Sequence, residues 1–207
     1  MVAGVWGKKI GMTQVFSDNK VVPVTVIDVS YWVVTQVKNE EQDGYVAVQI
    51  GRVKDRYAKQ EFSADWIKKQ NTYFNFIREV KIRKEQEQKE LVVGQKVDFH
   101  LLLNSGDFVD VTGVTKGAGF AGAVRRHGFT GGRASHGSTL GNRPGSLSFM
   151  RSQGRVIKGK RLPGHMGTLT CMIKNLEVVK VYPEEHLVLV KGAVPGKAGS
   201  LVFIRRA

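Results

Sequence analysis

A mainly β fold, a barrel or a sandwich interrupted by one long basic insertion, is what this sequence predicts, and three observations carry the prediction. Short apolar, β-branched runs separated by turn residues occupy both ends of the chain. No run of strands alternating with helical segments appears, which argues against a parallel α/β sheet. Between the two β-rich ends, residues 111–176 contain no aspartate or glutamate, yet hold 14 of the 24 glycines and 11 of the 32 lysines and arginines. That third of the chain carries +11 of the formal +14 charge, and the remainder is close to neutral at +3.

Taken in order, residues 21–29 (VVPVTVIDV), 32–37 and 45–50 each read as strands, with Ser17-Asp18-Asn19 and residues 40–44 as the turns between them. Pro23 cannot donate to a ladder and belongs at a strand start or on an edge. Ser63 is a candidate N-cap, with Asp65 in the first turn and Phe62 and Ile67 spaced as a hydrophobic staple, so a short helix is expected over residues 64–70. The following NTYFNFIREVKI alternates again, and KIRKEQEQKE mixes both signs of charge as a solvated connection would. Residues 54–95 therefore read as a mixed helix and strand excursion from the β core. Strand signals resume at 97–103 and 108–115 and, beyond the glycine-rich tract, at 176–181, 187–190 and 201–204, with turn chemistry at 192–199. The implied organisation is a β core over 1–110, an insertion over 111–176, and the last core strands over 177–207.

At 207 residues and 42% apolar content the chain can bury a substantial core. A pI near 10.0 favours a polyanionic partner. No run approaches the roughly 20 apolar residues that a membrane-spanning helix needs, and the single cysteine, Cys171, permits no internal disulfide and fits a reducing compartment. The amino terminus has neither a secretory nor an organellar targeting pattern, so a cytoplasmic location is expected.

Within the tract, Gly117 to Gly122 match the G-x-G-x-x-G nucleotide fingerprint. That motif also needs an acidic residue about 20 positions later, inside a βαβ unit; the next carboxylate after Asp110 is Glu177. No cofactor is expected. His127, His136, His165 and Cys171 lack the close pairing of a zinc site, and Ser135-His136 has no carboxylate nearby in sequence to orient the imidazole, so neither a metal nor a catalytic constellation is expected. Electrostatics remains. Lys116, Arg125, Arg126, Arg133, Arg143, Arg151, Arg155, Lys158, Lys160 and Arg161 are interleaved with glycines that let backbone approach a ligand closely, and arginine adds forked donors suited to phosphate. A tract of 66 residues is far longer than joining two strands requires. Few aromatics and no groove-reading pattern favour a folded RNA over single strands or regular DNA.

Several long stretches carry a family resemblance: GKKIGMTQVF at 7–16, GYVAVQIG at 44–51, KGAGFAGAVRRHGFTGGRASHGS at 116–138, GRVIKGKRLPGHMG at 154–167 and LVLVKGAVPG at 187–196. In this order and over essentially the whole chain, they resemble large-subunit ribosomal protein three in its bacterial form. The resemblance implies a closed β-barrel related to that of translation factors and a loop reaching toward the peptidyl transferase centre. It also implies binding of 23S rRNA near its 3′ end, early action in subunit assembly, neighbouring ribosomal proteins as partners, and no catalysis, membrane or small-molecule substrate. By motif matching, Lys8 and Lys9 in the first stretch, Arg125, Arg126, His127 and His136 on the outgoing arm, and Lys158, Lys160 and Arg161 on the returning arm join the rRNA-binding set, with Lys116, Arg133, Arg143, Arg151 and Arg155. The chain departs from the family at the loop tip. PGSLSFMRSQGRV puts Arg151 where many bacterial members carry a methylated glutamine, leaving Gln153 as a displaced candidate for modification.

Overall fold

The computed structural model describes residues 4–17, 20–81, 92–97, 102–133, 135–148 and 154–206. Arg151, Gln153, most of the KIRKEQEQKE connection, the Asp18-Asn19 turn and the middle of the strand expected at 97–103 lie outside the described residues. The elements are β1 (Val5–Ser17), β2 (Lys20–Asp28), β3 (Trp32–Lys38), α1 (Glu40–Asp43), β4 (Ala47–Val53), a 3-10 turn (Asp55–Tyr57), α2 (Asp65–Lys68), α3 (Gln70–Tyr73) and β5 (Phe74–Lys81). They continue with β6 (Phe108–Val114), β7 (Gly119–Ala121), α4 (Ala123–His127), β8 (Gly164–Met166), β9 (Thr170–Tyr182), β10 (Leu187–Lys191) and β11 (Leu201–Arg206). The chain forms two compact units, Met1–Val114 with Thr170–Ala207, and Thr115–Leu169.

In the first unit six strands pair in the order β1-β11-β6-β9-β10-β2, all antiparallel. The order closes on itself because β2 also pairs with β1, from Lys8 opposite Asp28 to Ser17 opposite Lys20. A ring of pairings with no free end is what a closed barrel requires. Register shifts at Lys9/Gly11, Val109/Val111 and Leu189/Val190 bend the strands so that the ring can close. Alternation puts Val202 and Ile204 of β11 fully inward, in one buried cluster with Ile27 of β2. On the other face of β11, Phe203 packs on Trp6 with ring centroids 4.9 Å apart.

Three strands that precede the tract do not enter this ring. β3 and β4 pair with β5 in a separate three-stranded sheet. Trp32, Val34, Val48, Ile50 and Val80 of that sheet nevertheless share one buried cluster with ring residues such as Ile27 and Val188. The sheet and the ring thus close over a common core. Arg52 of β4 is 2% exposed, and its Nη2 lies 2.8 Å from Asp28 Oδ2.

The expected helix over 64–70 is two single turns, α2 and α3, broken at Lys69. Ser63 is not the cap: Ala64 occupies that position, and Ser63 contributes only its carbonyl, which accepts from the Trp66 N–H at 3.0 Å. The physical reason is the aromatic cluster. Trp66 stacks on Tyr73 at 5.1 Å and meets Phe62 edge-on at 5.7 Å, and burying those rings against Val33, Val53 and Phe74 outweighs continuing a short helix.

The ends of the acid-free tract are regular strand. β6 runs to Val114 and β9 begins at Thr170, so residues 111–114 and 170–173 form ladder with each other, from Val111 opposite Ile173 to Val114 opposite Thr170, and Leu176 pairs with Val109 before the tract.

Candidate nucleic-acid interface

Residues 115–169 begin and end at a backbone neck. The Thr115 N–H donates to the Leu169 carbonyl at 2.9 Å, and the Ala118 N–H donates to that of Met166 at 2.8 Å. β7 and β8 then pair antiparallel, Gly119 opposite Met166, Phe120 opposite His165 and Ala121 opposite Gly164. Gly167 is required here: its φ is +81°, and a Cβ at this position would collide with the Lys116 carbonyl oxygen.

Past the neck the outgoing arm turns once as α4 and stops at Gly128, whose left-handed backbone (φ 71°) lets its N–H donate to the Val124 carbonyl. Arg125, Arg126 and His127 fall in the last turn of α4, where positive charge faces the unpaired carbonyls of a helix end. Two of them reach the returning arm. Arg126 Nη1 donates to the Leu162 carbonyl at 2.7 Å, and His127 Nε2 lies 3.0 Å from the same oxygen. Gly164 allows the approach, since an added Cβ would sit 2.6 Å from Arg126 Nη1. Farther out, the Gly132 N–H donates to the Gly141 carbonyl at 2.7 Å, and Lys160 Nζ donates to that of Ser146 at 3.2 Å.

Among the described residues of this unit only Ala121 and Ala123 are buried. Lys116, Arg125, Arg126, Arg133, His136, Arg143, Arg155, Lys158, Lys160 and Arg161 are exposed, and His127 is half-buried. With no carboxylate in 115–169, these cations have no counter-charge in their own unit. The arrangement can bind a polyanion through many separate contacts; it contains no acid for proton transfer. Gly119, Phe120 and Ala121 of the G-x-G-x-x-G match lie in an antiparallel ribbon, not in a βαβ turn. No group of histidines, cysteines and carboxylates suited to a metal exists among the described residues.

Lys8 and Lys9 lie elsewhere, on β1. Lys8 is half-buried. Lys9 is 8% exposed, and its Nζ donates to the carbonyls of Val194 and Gly196 at 2.7 and 3.1 Å, so its ammonium holds the turn before β11 in place. No helix among the described residues is long and apolar enough to cross a membrane.

Comparison with known proteins fits this arrangement. The Ribosomal protein L3 family matches residues 74–186. The large ribosomal subunit protein uL3 of Pelotomaculum thermopropionicum is 43% identical over 210 residues, covering all of this chain and 98% of that protein. The chain belongs to the uL3 family. Proteins of the same name from Syntrophus aciditrophicus and Streptococcus mutans are each 43% identical over 97% and 100% of the chain, and over 92% and 98% of their own lengths. As a uL3-family member the chain is a structural constituent of the large ribosomal subunit, a ribonucleoprotein component of translation and not an enzyme.

Sequence reasoning missed two features of the uL3 loop. One is the Leu162 carbonyl as the shared acceptor that ties the arms together, which only folding could reveal. The other is the presentation of Phe120, a large aromatic in a glycine-rich run whose exposure depends on the pairing of β7 with β8.

Proposed function

We propose that this chain binds 23S rRNA near its 3′ end, acts early in assembly of the cytoplasmic large subunit, and sends residues 111–176 toward the peptidyl transferase centre. The six-stranded ring serves as a translation-factor-like barrel that docks on the subunit surface against rRNA and neighbouring ribosomal proteins. The observation that carries the reading is the unit 115–169: ten lysines and arginines without one carboxylate, on a glycine-rich backbone that buries almost nothing of its own. Phosphates are the counter-charge such a segment lacks, and family membership supplies the RNA. The contacting residues are the exposed cations of the loop, with His127, His136 and, at the barrel, Lys8. Lys9 contributes by shaping the barrel turn. Arg151 adds a phosphate contact at the tip, and Gln153 is the residue there whose modification mass spectrometry of 152–155 would detect.

Each phosphate neutralised contributes roughly −0.7 to −0.9 to the slope of log affinity against log salt. Replacing residues 117–167 by a short turn should therefore flatten the slope for large-subunit rRNA by several units. A loopless chain that keeps the slope of the full chain would move the phosphate contacts to the barrel.

A further inference from the structure

Phe120 stands apart from the charge-based reading of the loop. It is 80% exposed, the highest value among the exposed large hydrophobic side chains, and it meets no other ring among the described residues. It sits at the centre of β7, directly opposite His165 of β8, so the two side chains project from the same face of the ribbon, and His165 is exposed as well. The opposite face carries Ala121, buried, and Gly164, against which Arg126 lies. The ribbon thus has an inner face closed by small residues and a guanidinium, and an outer face that presents two rings.

Backbone hydrogen bonds and the clamp on Leu162 fix this ribbon at the root of the loop. An aromatic held out on a paired strand loses little further freedom when it is covered, which is how sheet-based RNA modules present rings to bases. Its surroundings select the occupant. With no carboxylate in residues 115–169 and Lys116 and Arg125 flanking it in sequence, an approaching surface rich in phosphate is attracted, and a second apolar protein face gains nothing from that charge. Phe16, exposed almost as far, lies instead opposite Val21 on the β1–β2 hairpin, an apolar pair.

We propose that Phe120, with His165 beside it, is a stacking site for an unpaired base of the rRNA that the loop traverses. The inference rests on the rRNA-binding reading above and adds a base contact to an interface otherwise made of phosphates.

Stacking releases no counterions, so it separates from phosphate binding by salt dependence. With the full chain and deproteinised large-subunit rRNA, Phe120→Ala should weaken binding by about 5- to 150-fold, the range found when one base–aromatic stack is removed, while the salt slope stays that of wild type. Phe120→Leu should bind as poorly as the alanine variant, and Phe120→Trp should restore affinity. Ultraviolet irradiation of the wild-type complex should leave a nucleotide adduct on the peptide containing Phe120. Wild-type affinity in Phe120→Leu would show that apolar area alone matters and would overturn stacking, as would a changed slope in Phe120→Ala or an adduct confined to other residues. The two readings fail separately. If replacing 117–167 leaves the slope intact, the loop is not the phosphate-binding element; if that replacement flattens the slope while Phe120→Ala binds normally, only the stacking site is lost.

Discussion

In the β unit Arg52 faces Asp28, Arg205 faces Asp110 and Arg206 faces Asp107, each within 3.0 Å, and Lys38 donates to both Tyr45 and Glu79. The Tyr45 hydroxyl and the Glu79 carboxylate hold the Lys38 ammonium above the ordinary lysine range, and Lys38 in turn holds Glu79 below the usual carboxylate range. Arg125, Arg143 and Arg161 of residues 115–169 have no carboxylate in their unit at all. Burial divides in the same way, since the β unit packs a large cluster from Val5 to Ile204 and a smaller one around Trp66, whereas the described residues of the loop unit bury two alanines. The first unit pairs several of its cations with carboxylates and buries a core of its own. The second holds its shape through a neck of backbone hydrogen bonds and leaves its charge for a partner to meet. Substitutions should therefore divide into those that change stability and those that change affinity.

The largest separation should come from Trp32, which is 1% exposed in the cluster shared by the ring and the three-stranded sheet. Trp32→Ala should cost about 3–5 kcal/mol, with ring and sheet still unfolding in one transition in urea. Arg161→Gln should stay within about 0.5 kcal/mol of wild type. Two separate transitions in the Trp32 variant would mean that the two sheets do not share one cooperative core.

A paired test uses lysines that look alike in sequence. Lys9→Met leaves the Val194 and Gly196 carbonyls without that donor and should cost about 1–3 kcal/mol of stability, with the salt slope of rRNA binding unchanged. Lys158→Met should do the reverse, lowering the slope by about 0.7–0.9 at constant stability. A slope change in Lys9→Met would place its ammonium among the phosphate contacts.

That pair also marks how far the sequence could be read. The loop was legible because charge and glycine content are local properties, and the absence of both aspartate and glutamate over a long tract is visible without a fold. The role of Lys9 was hidden because its acceptors arrive from 185 and 187 residues away. Strand alternation found β3 and β4 but could not say that they pair with β5 instead of joining the ring, since the partner choice is set by a non-local core. The first residues of β9, such as Cys171 and Met172, are exposed in strand pairing, so neither hydrophobic alternation nor the position of Glu177 marks where the ladder starts. Ser63 has the composition of a cap, yet the aromatic cluster around Trp66 decides the local backbone.

Gly167 gives a smaller and more local effect. Gly167→Ala should add about 1–2 kcal/mol of left-handed backbone strain, along with the collision with the Lys116 carbonyl. Amide exchange should speed up at Thr115 and Ala118, the donors of the neck, while the Val190 amide in the ring keeps its protection. Faster exchange throughout the ring would show that the neck supports the β unit too.

The smallest effect concerns acid. Asp110 accepts from Arg205 Nη2 at 2.8 Å and from the Asn175 N–H at 3.2 Å, and these donors, the arginine foremost, hold its carboxyl below the ordinary aspartate value of 3.8. A folded-state value below the unfolded one means that the unfolded chain binds the proton more readily. The stabilisation is therefore complete above the unfolded value and is lost as pH falls through the folded one. Wild type should be more stable than Asp110→Asn near neutral pH, and urea unfolding between about pH 7 and about pH 3 should show that difference narrowing in acid. A gap that stays constant across the range would mean that the aspartate acts through shape and not through its charge. Asp110 and both of its donors lie in the β unit, so the same narrowing of the gap between wild type and Asp110→Asn should persist when 117–167 are replaced by a turn.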